Sequence, residues 1–136
     1  MEKISCDYFL NKGYSCSESV IMGAVEKGLV PEELVNLGTG FSGGMGSGCL
    51  CGAVSGAQIV ISYLHGKNKT NKARIFAKKF IEEFKKVHKV TCCKALTAKF
   101  DDFHSKERKA HCANMVESSS KILAEILEEA KETLWE

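Results

Sequence analysis

The run Gly48-Cys49-Leu50-Cys51-Gly52-Ala53-Val54-Ser55-Gly56-Ala57-Gln58-Ile59-Val60-Ile61-Ser62-Tyr63-Leu64 decides how this chain folds. From Cys51 to Leu64 it lacks breakers in its second half and is apolar on nearly every side, the pattern of a buried helix rather than a surface one. Gly66 ends it. The first half is built from small residues, Gly52, Ala53, Ser55, Gly56 and Ala57, which let a neighbouring helix or a bound group approach the backbone closely. Two thiols, Cys49 and Cys51, stand at its entrance.

Upstream of this segment, Gly38, Gly40, Gly43, Gly44, Gly46 and Gly48 are packed so densely that a helix or strand would lose too much entropy, so a loop is expected. Before the loop, Ser15 and Glu18 make a capping box and predict a helix from Cys16 to about Lys27, ended by Gly28. Pro31, the only proline, is placed to start a short helix through Glu32, Glu33 and Leu34 that fades near Gly38.

Downstream, Phe76, Phe80, Phe84 and Val87 recur at helical spacing with Lys and Glu opposite, predicting an amphipathic helix over Asn71 to Lys89. A final helix from about Lys106 to Trp135 presents Cys112, Met115, Val116, Ser119, Ile122, Leu123, Ile126, Leu127, Ala130 and Leu134 as one apolar stripe. No segment alternates with period two, and no Asn-Gly hairpin signal occurs. The expected fold class is all-α: a bundle of five or six helices around the buried Cys51 to Leu64 helix. Residues 1–136 form one domain, large enough for a core without disulfides.

Bulk properties narrow the partners. A formal charge of +2, with lysines dispersed among glutamates, gives no footprint for nucleic acid. The N-terminus lacks the apolar core of a signal peptide, and no apolar stretch nears the roughly 20 residues that a bilayer requires. A cytoplasmic location with no membrane partner follows as an expectation. In that reducing compartment, clustered cysteines point to metal binding or redox chemistry rather than permanent disulfides. The odd count of seven cysteines also argues against a closed set of bridges.

Thiolate is the reactive and ligating form, and helix N-termini favour it. Cys16 opens the capped helix, while Cys49 and Cys51 lie where the glycine loop turns into the central helix. The loop glycines Gly43, Gly44, Gly46 and Gly48, with Cys49 and Gly52, are candidate cofactor-binding positions, because such a run exposes N–H groups that can hold an anion or the sulfides of a cluster. Residues two apart cannot share one helical face, so Cys49 serves the same site as Cys51 only if it still belongs to the loop. Cys112 faces inward on the last stripe, and only one of Cys92 and Cys93 can easily do the same.

Gly13-Tyr14-Ser15-Cys16-Ser17-Glu18-Ser19-Val20, Phe41-Ser42-Gly43-Gly44-Met45-Gly46, Cys51-Gly52-Ala53-Val54-Ser55-Gly56-Ala57, Cys93-Lys94-Ala95-Leu96 and His111-Cys112-Ala113-Asn114-Met115-Val116 together resemble the redox-active C_GCAxxG_C_C proteins. These are small helical proteins named for their cysteine pattern. The resemblance covers most of the chain and implies a redox role for Cys16, Cys51, Cys93 and Cys112, with no defined substrate. Related domains occur in split-Soret cytochromes, where iron–sulfur chemistry is linked to such a cysteine set. Cys6, Cys49 and Cys92 are additions to the family pattern.

Each sharp reading has a plain counterpart. A free cysteine is also a small buried hydrophobe, which is the reading for Cys6 on the first helix. The glycines could serve close packing alone. They are no phosphate loop, since no strand precedes them and no Lys-Ser/Thr pair follows. His65, His88, His104 and His111 read as exposed or helix-terminal residues rather than ligands. Met22, Met45 and Met115 read as core filler, with Met45 able to line a pocket in the loop.

The leading expectation is a redox protein, an oxidoreductase or electron carrier, in which Cys16, Cys51, Cys93 and Cys112 converge with Cys49 as a candidate fifth member. They would hold an iron–sulfur cluster or other metal, or run thiol–disulfide exchange with a redox partner. The absence of a Cys-x-x-Cys pair and the wide spread of the thiols along the chain favour the cage. One alternative is a structural zinc site in a helical interaction protein. Another is a small-molecule binding bundle whose thiols are incidental. Trp135, near the end of a long amphipathic helix, is compatible with a homodimer.

Overall fold

The computed structural model of the chain describes residues 1–66, 72–101 and 105–133. They form six α-helices, α1 (Glu2–Asn11), α2 (Cys16–Glu26), α3 (Gly52–His65), α4 (Lys72–His88), α5 (Cys93–Leu96) and α6 (Lys106–Thr133). Between α2 and α3 lie 3-10 turns at Glu32–Leu37 and Thr39–Phe41 and a tight coil at Gly44–Gly48. The class is all-α, with no strand among the described residues. The expectations placed on Asn71, His104, Leu134 and Trp135 lie outside those residues.

The start of α2 is set locally. Ser15 Oγ accepts from the Glu18 N–H at 3.3 Å, and the Ser15 N–H donates back to Glu18 Oε1 at 2.9 Å. A cap of this kind stabilises a helix by about 1 kcal/mol. Gly28, at φ +72°, supplies the left-handed residue that turns the chain away after Glu26. Pro31 stands in extended conformation just ahead of the Glu32–Leu37 turn, which winds as a 3-10 helix instead of an α-helix.

Small residues in α3 bring α2 against it. A Cβ on Gly56 would stand 2.5 Å from the Ser17 carbonyl oxygen, so only glycine lets the two backbones meet there. Val54, Ala57, Val60 and Ile61 of α3 are fully buried with Val20 and Ile21 of α2 and Val116, Leu123 and Ile126 of α6. Against the reading of α3 as apolar on nearly every side and buried, Ser62 and Tyr63 face solvent. The middle of the bundle is shared with α6, which packs on α1, α2, α3 and α4. Ser5 Oγ and Ser120 Oγ pair at 2.9 Å inside the core and tie α1 to α6.

On α4, Phe76, Phe80 and Phe84 are buried as the periodicity predicts, but Val87 is 58% exposed. The row of side chains four apart continues to His88, which packs on Phe84 with ring centroids 4.6 Å apart and hydrogen-bonds Ser118 at 2.9 Å. Val87 therefore falls off the face it was assigned to.

Candidate functional site

The end of the glycine coil and the segment before α5 meet in an antiparallel bridge, Leu50 opposite Cys92. The Cys51 N–H donates to the Thr91 carbonyl at 2.8 Å, and the Cys93 N–H donates to the Cys49 carbonyl at 2.5 Å. Immediately beyond the bridge both chains turn into helices, with Cys51 capping α3 and Cys93 beginning α5. Two cysteines far apart in sequence are thus held at neighbouring helix starts.

Cys16, from the first position of α2, and Cys112, from the second turn of α6, complete the arrangement. All four line one cavity of about 390 Å³. Phe9, Leu96 and Met115 supply apolar wall, while Ser15, Ser42 and Arg108 supply polar groups. Every described cysteine is a free thiol.

Burial governs these thiols more than the helix ends do. The Cys51 thiol is pushed up to about 12 by burial and then by the charge of Cys16, against the N–H groups of Val54 and Ala53. Burial likewise raises Cys16, although the N–H groups of Gly43 and Ser17 and the Ser42 hydroxyl favour its thiolate. Cys112 is raised by burial and, secondarily, by Cys16 and Cys93, with Arg108 opposing. Helix N-termini alone predict lowered values for Cys16 and Cys51, and the structure reverses that for a physical reason. Removing sulfur from water penalises the anion more than a few N–H groups return.

The cysteines beyond the family pattern lie elsewhere. Cys49 belongs to the coil, is exposed, and has the Ser47 hydroxyl 3.1 Å from its sulfur. Cys92 is exposed, with its thiol 3.3 Å from the Gly48 carbonyl, while Cys93 points inward. Cys6 is half-buried on α1, its sulfur 3.9 Å from the Ala113 carbonyl. None of the three lines the cavity.

The loop glycines divide by role. Gly43, Gly44, Met45 and Gly46 run consecutively with left-handed φ, so the expected loop is wound into a tight turn, closed by the Cys49 N–H on the Gly44 carbonyl at 3.1 Å. Gly43 and Gly52 line the thiol cavity, whereas Gly46 and Gly48 line an adjoining recess. Gly44 is buried, and a Cβ on it would stand 2.4 Å from the Cys49 nitrogen. Met45 is half exposed and lines neither space.

His65 is buried at the end of α3, with neither ring nitrogen hydrogen-bonded. His111 Nε2 is 2.7 Å from the Leu96 carbonyl, and the residue does not line the cavity. Arg108 carried no expectation from the sequence. Its guanidinium directs an N–H at Cys93 Sγ from 3.7 Å. The available signal was its place four residues before Cys112, on the same helical face.

Among the described residues, no three Cys, His, Asp or Glu side chains gather closely enough to hold a single metal ion. The four thiols surround a space instead of converging on a point. A family model matches residues 14–126, which include all four; its description is "Putative redox-active protein (C_GCAxxG_C_C)". The chain belongs to this family. The four cysteines on which the resemblance rests, Cys16, Cys51, Cys93 and Cys112, are the ones that line the cavity. No curated protein and no solved structure matches the chain. No described helix is long and apolar enough to cross a membrane.

Proposed function

We propose that the thiol cavity holds a polynuclear iron–sulfur group and that the protein carries electrons through it. One observation supports this reading above the others: the sulfurs of Cys16, Cys51, Cys93 and Cys112 border a common space of about 390 Å³ without converging on a single centre. Zinc would draw its thiolates to about 2.3 Å from one ion. A four-iron cluster would take one cysteine at each iron, which suits four cysteines that stand apart around a volume. The residues present fit that group, since soft sulfur donors suit iron.

Once bound, such a group supplies one-electron transfer at a potential set by hydrogen bonding and burial. The chain does the rest. Phe9, Leu96 and Met115 keep water off the sulfurs. The N–H groups of Gly43 and Ser17 serve the charge of Cys16, and those of Val54 and Ala53 serve Cys51. Arg108 does the same for Cys93 and Cys112. Because the thiols of Cys16, Cys51 and Cys112 hold their protons tightly, loading would release protons and be favoured by rising pH.

Thiol–disulfide exchange is the weaker reading for these residues. The attacking sulfur must be an accessible thiolate, and Cys51 is buried with its thiol pushed up to about 12. Anaerobic purification followed by a visible spectrum and assays of iron, sulfide and zinc tests the proposal. Brown protein with iron and acid-labile sulfide is expected, lost in Cys51→Ser and retained in Cys6→Ser. Zinc alone, or a colourless chain that cycles reversibly between dithiol and disulfide, overturns it.

A further inference from the structure

We infer that Cys49 and Cys92 form a second redox site, a surface dithiol that closes to a disulfide by exchange with low-molecular-weight disulfides of the oxidised glutathione type. Both are free, exposed thiols, and neither lines the cavity bordered by Cys16, Cys51, Cys93 and Cys112. They lie on the two chains of the bridge that pairs Leu50 with Cys92. Exchange requires a sulfur that an incoming disulfide can reach. Exposure supplies that here, where burial withholds it from Cys51 and Cys93.

The bridge sets the two residues within reach of one bond. The Cys93 N–H donates to the Cys49 carbonyl at 2.5 Å, and two covalent bonds at either end of that contact lead back to the Cα atoms of Cys92 and Cys49, which therefore stand no more than about 7 Å apart. The path is also bent, because a trans peptide N–H leaves at roughly a right angle to the line toward the preceding Cα. The separation then falls in the range of about 4.4–6.8 Å that disulfides usually span. The side chains turn to the same stretch of chain. Cys92 Sγ is 3.3 Å from the Gly48 carbonyl oxygen and Cys49 Sγ is 3.1 Å from the Ser47 hydroxyl, so both sulfurs lie against the end of the glycine coil. Rotation about the Cα–Cβ bonds of two exposed side chains brings one to the other. Other pairings are opposed by burial: Cys93 beside Cys92 points inward, and Cys51 is closed off from Cys49. In the first step, one thiolate attacks a sulfur of the small disulfide, forming a mixed disulfide and expelling a thiolate that takes up the proton the attacker gave. In the second, the neighbouring thiolate attacks the protein sulfur of that mixed bond, closing the Cys49–Cys92 link and releasing the second small thiol. Two electrons and two protons pass from the pair to the small disulfide, and excess small thiol reverses the sequence.

The test treats the full chain, purified anaerobically, with oxidised glutathione, alkylates the remaining thiols and maps linked peptides by mass spectrometry, with iron assayed on the same samples. A Cys49–Cys92 link is expected, reopened by reduced glutathione. Cys49→Ser and Cys92→Ser should each abolish it and accumulate glutathione on the surviving partner, whereas Cys6→Ser should leave it unchanged. Helix content by circular dichroism verifies that each variant folds. Glutathione resting separately on Cys49 and Cys92 with no link between them, a link from either to a cavity cysteine, or no reaction overturns the inference. Iron content in both single variants is expected to match that of the unaltered chain, since neither thiol lines the cavity, and its loss from either overturns the separation of the two sites. A chain that forms the link yet carries no iron supports this inference and sinks the cluster reading alone.

Discussion

Cys16 Sγ occupies the space that Gly52 leaves by having no Cβ, 2.4 Å from where that atom would stand. The first residue of α2 is thereby set into the first turn of α3, against Cys51. Close approach of the two helices at Gly56 and Ser17 brings the same ends together one turn further on. The thiol cavity is a consequence of helix packing as much as of the cysteines themselves.

Gly52→Ala should dislodge Cys16. The added methyl meets the sulfur on one side and the Phe41 carbonyl at 3.0 Å on another, so it cannot be accommodated by a small rotation. Overpacking of this kind costs about 1–3 kcal/mol. Expected results are a lower midpoint in urea and loss of iron and sulfide from purified protein. Gly40→Ala, where an added Cβ meets nothing within 4 Å, should change neither. Equal iron content in the two variants would count against the geometry described for Cys16.

Alkaline titration should destabilise the metal-free chain. The thiols of Cys16, Cys51 and Cys112 are all raised in the folded state, Cys51 to about 12, while an unfolded thiol keeps its ordinary value near 8.5. The folded chain then binds more protons than the unfolded one above that pH. Stability is fully present below it and is lost as pH rises through the raised values, with Cys51 alone contributing up to about 1.4 kcal/mol per pH unit on the way to about 12. Urea melts between pH 8 and pH 10 check this, and Cys51→Ser should flatten the slope.

His65→Phe should remove a sensitivity to mild acid. Burial, and secondarily the charge of Lys72, hold this imidazole below its usual range, and both ring nitrogens lack partners beside Phe76. As pH falls through about 6.5, the unfolded chain takes up the proton more readily than the folded one, so stability declines. The variant is expected to lose that decline and to be at least as stable at neutral pH, because two unsatisfied buried nitrogens are replaced by carbon. Thermal melts of both proteins from pH 7 down to pH 5 measure it.

Met45→Gly should stabilise the glycine turn. Met45 is a non-glycine residue inside a left-handed run, at φ 61°, which costs about 1–2 kcal/mol, and its side chain is half exposed, so little packing is given up. A rise in the thermal midpoint is expected, reduced by the extra freedom that glycine has when unfolded. A fall in the midpoint would mean that Met45 packs on the turn more tightly than its exposure implies.

Helix positions were legible because their causes are local. The Ser15–Glu18 box, the phenylalanine row on α4 and the long stripe on α6 each specify an element from residues a few positions apart, and those elements form where expected. The identity of the four cavity cysteines was legible for a different reason, as a spaced pattern resembling a family. Thiol acidity was misjudged because burial is a property of the packed bundle. Cys49 and Cys51 look equivalent along the chain, yet the bridge between Leu50 and Cys92 leaves one exposed and the other buried.

Periodicity, capping and glycine density suffice to dictate an all-α chain, the starts of its helices, and the presence of a loop before α3. They act over one or two turns of backbone, and a reader of residues alone can sum them. Bringing Cys16, Cys51, Cys93 and Cys112 around one space, and leaving Cys49 and Cys92 outside it, depended on contacts between segments dozens of residues apart. Those contacts follow from which backbones can approach at Gly52 and Gly56 and from the register of the bridge, which are settled only when the helices pack.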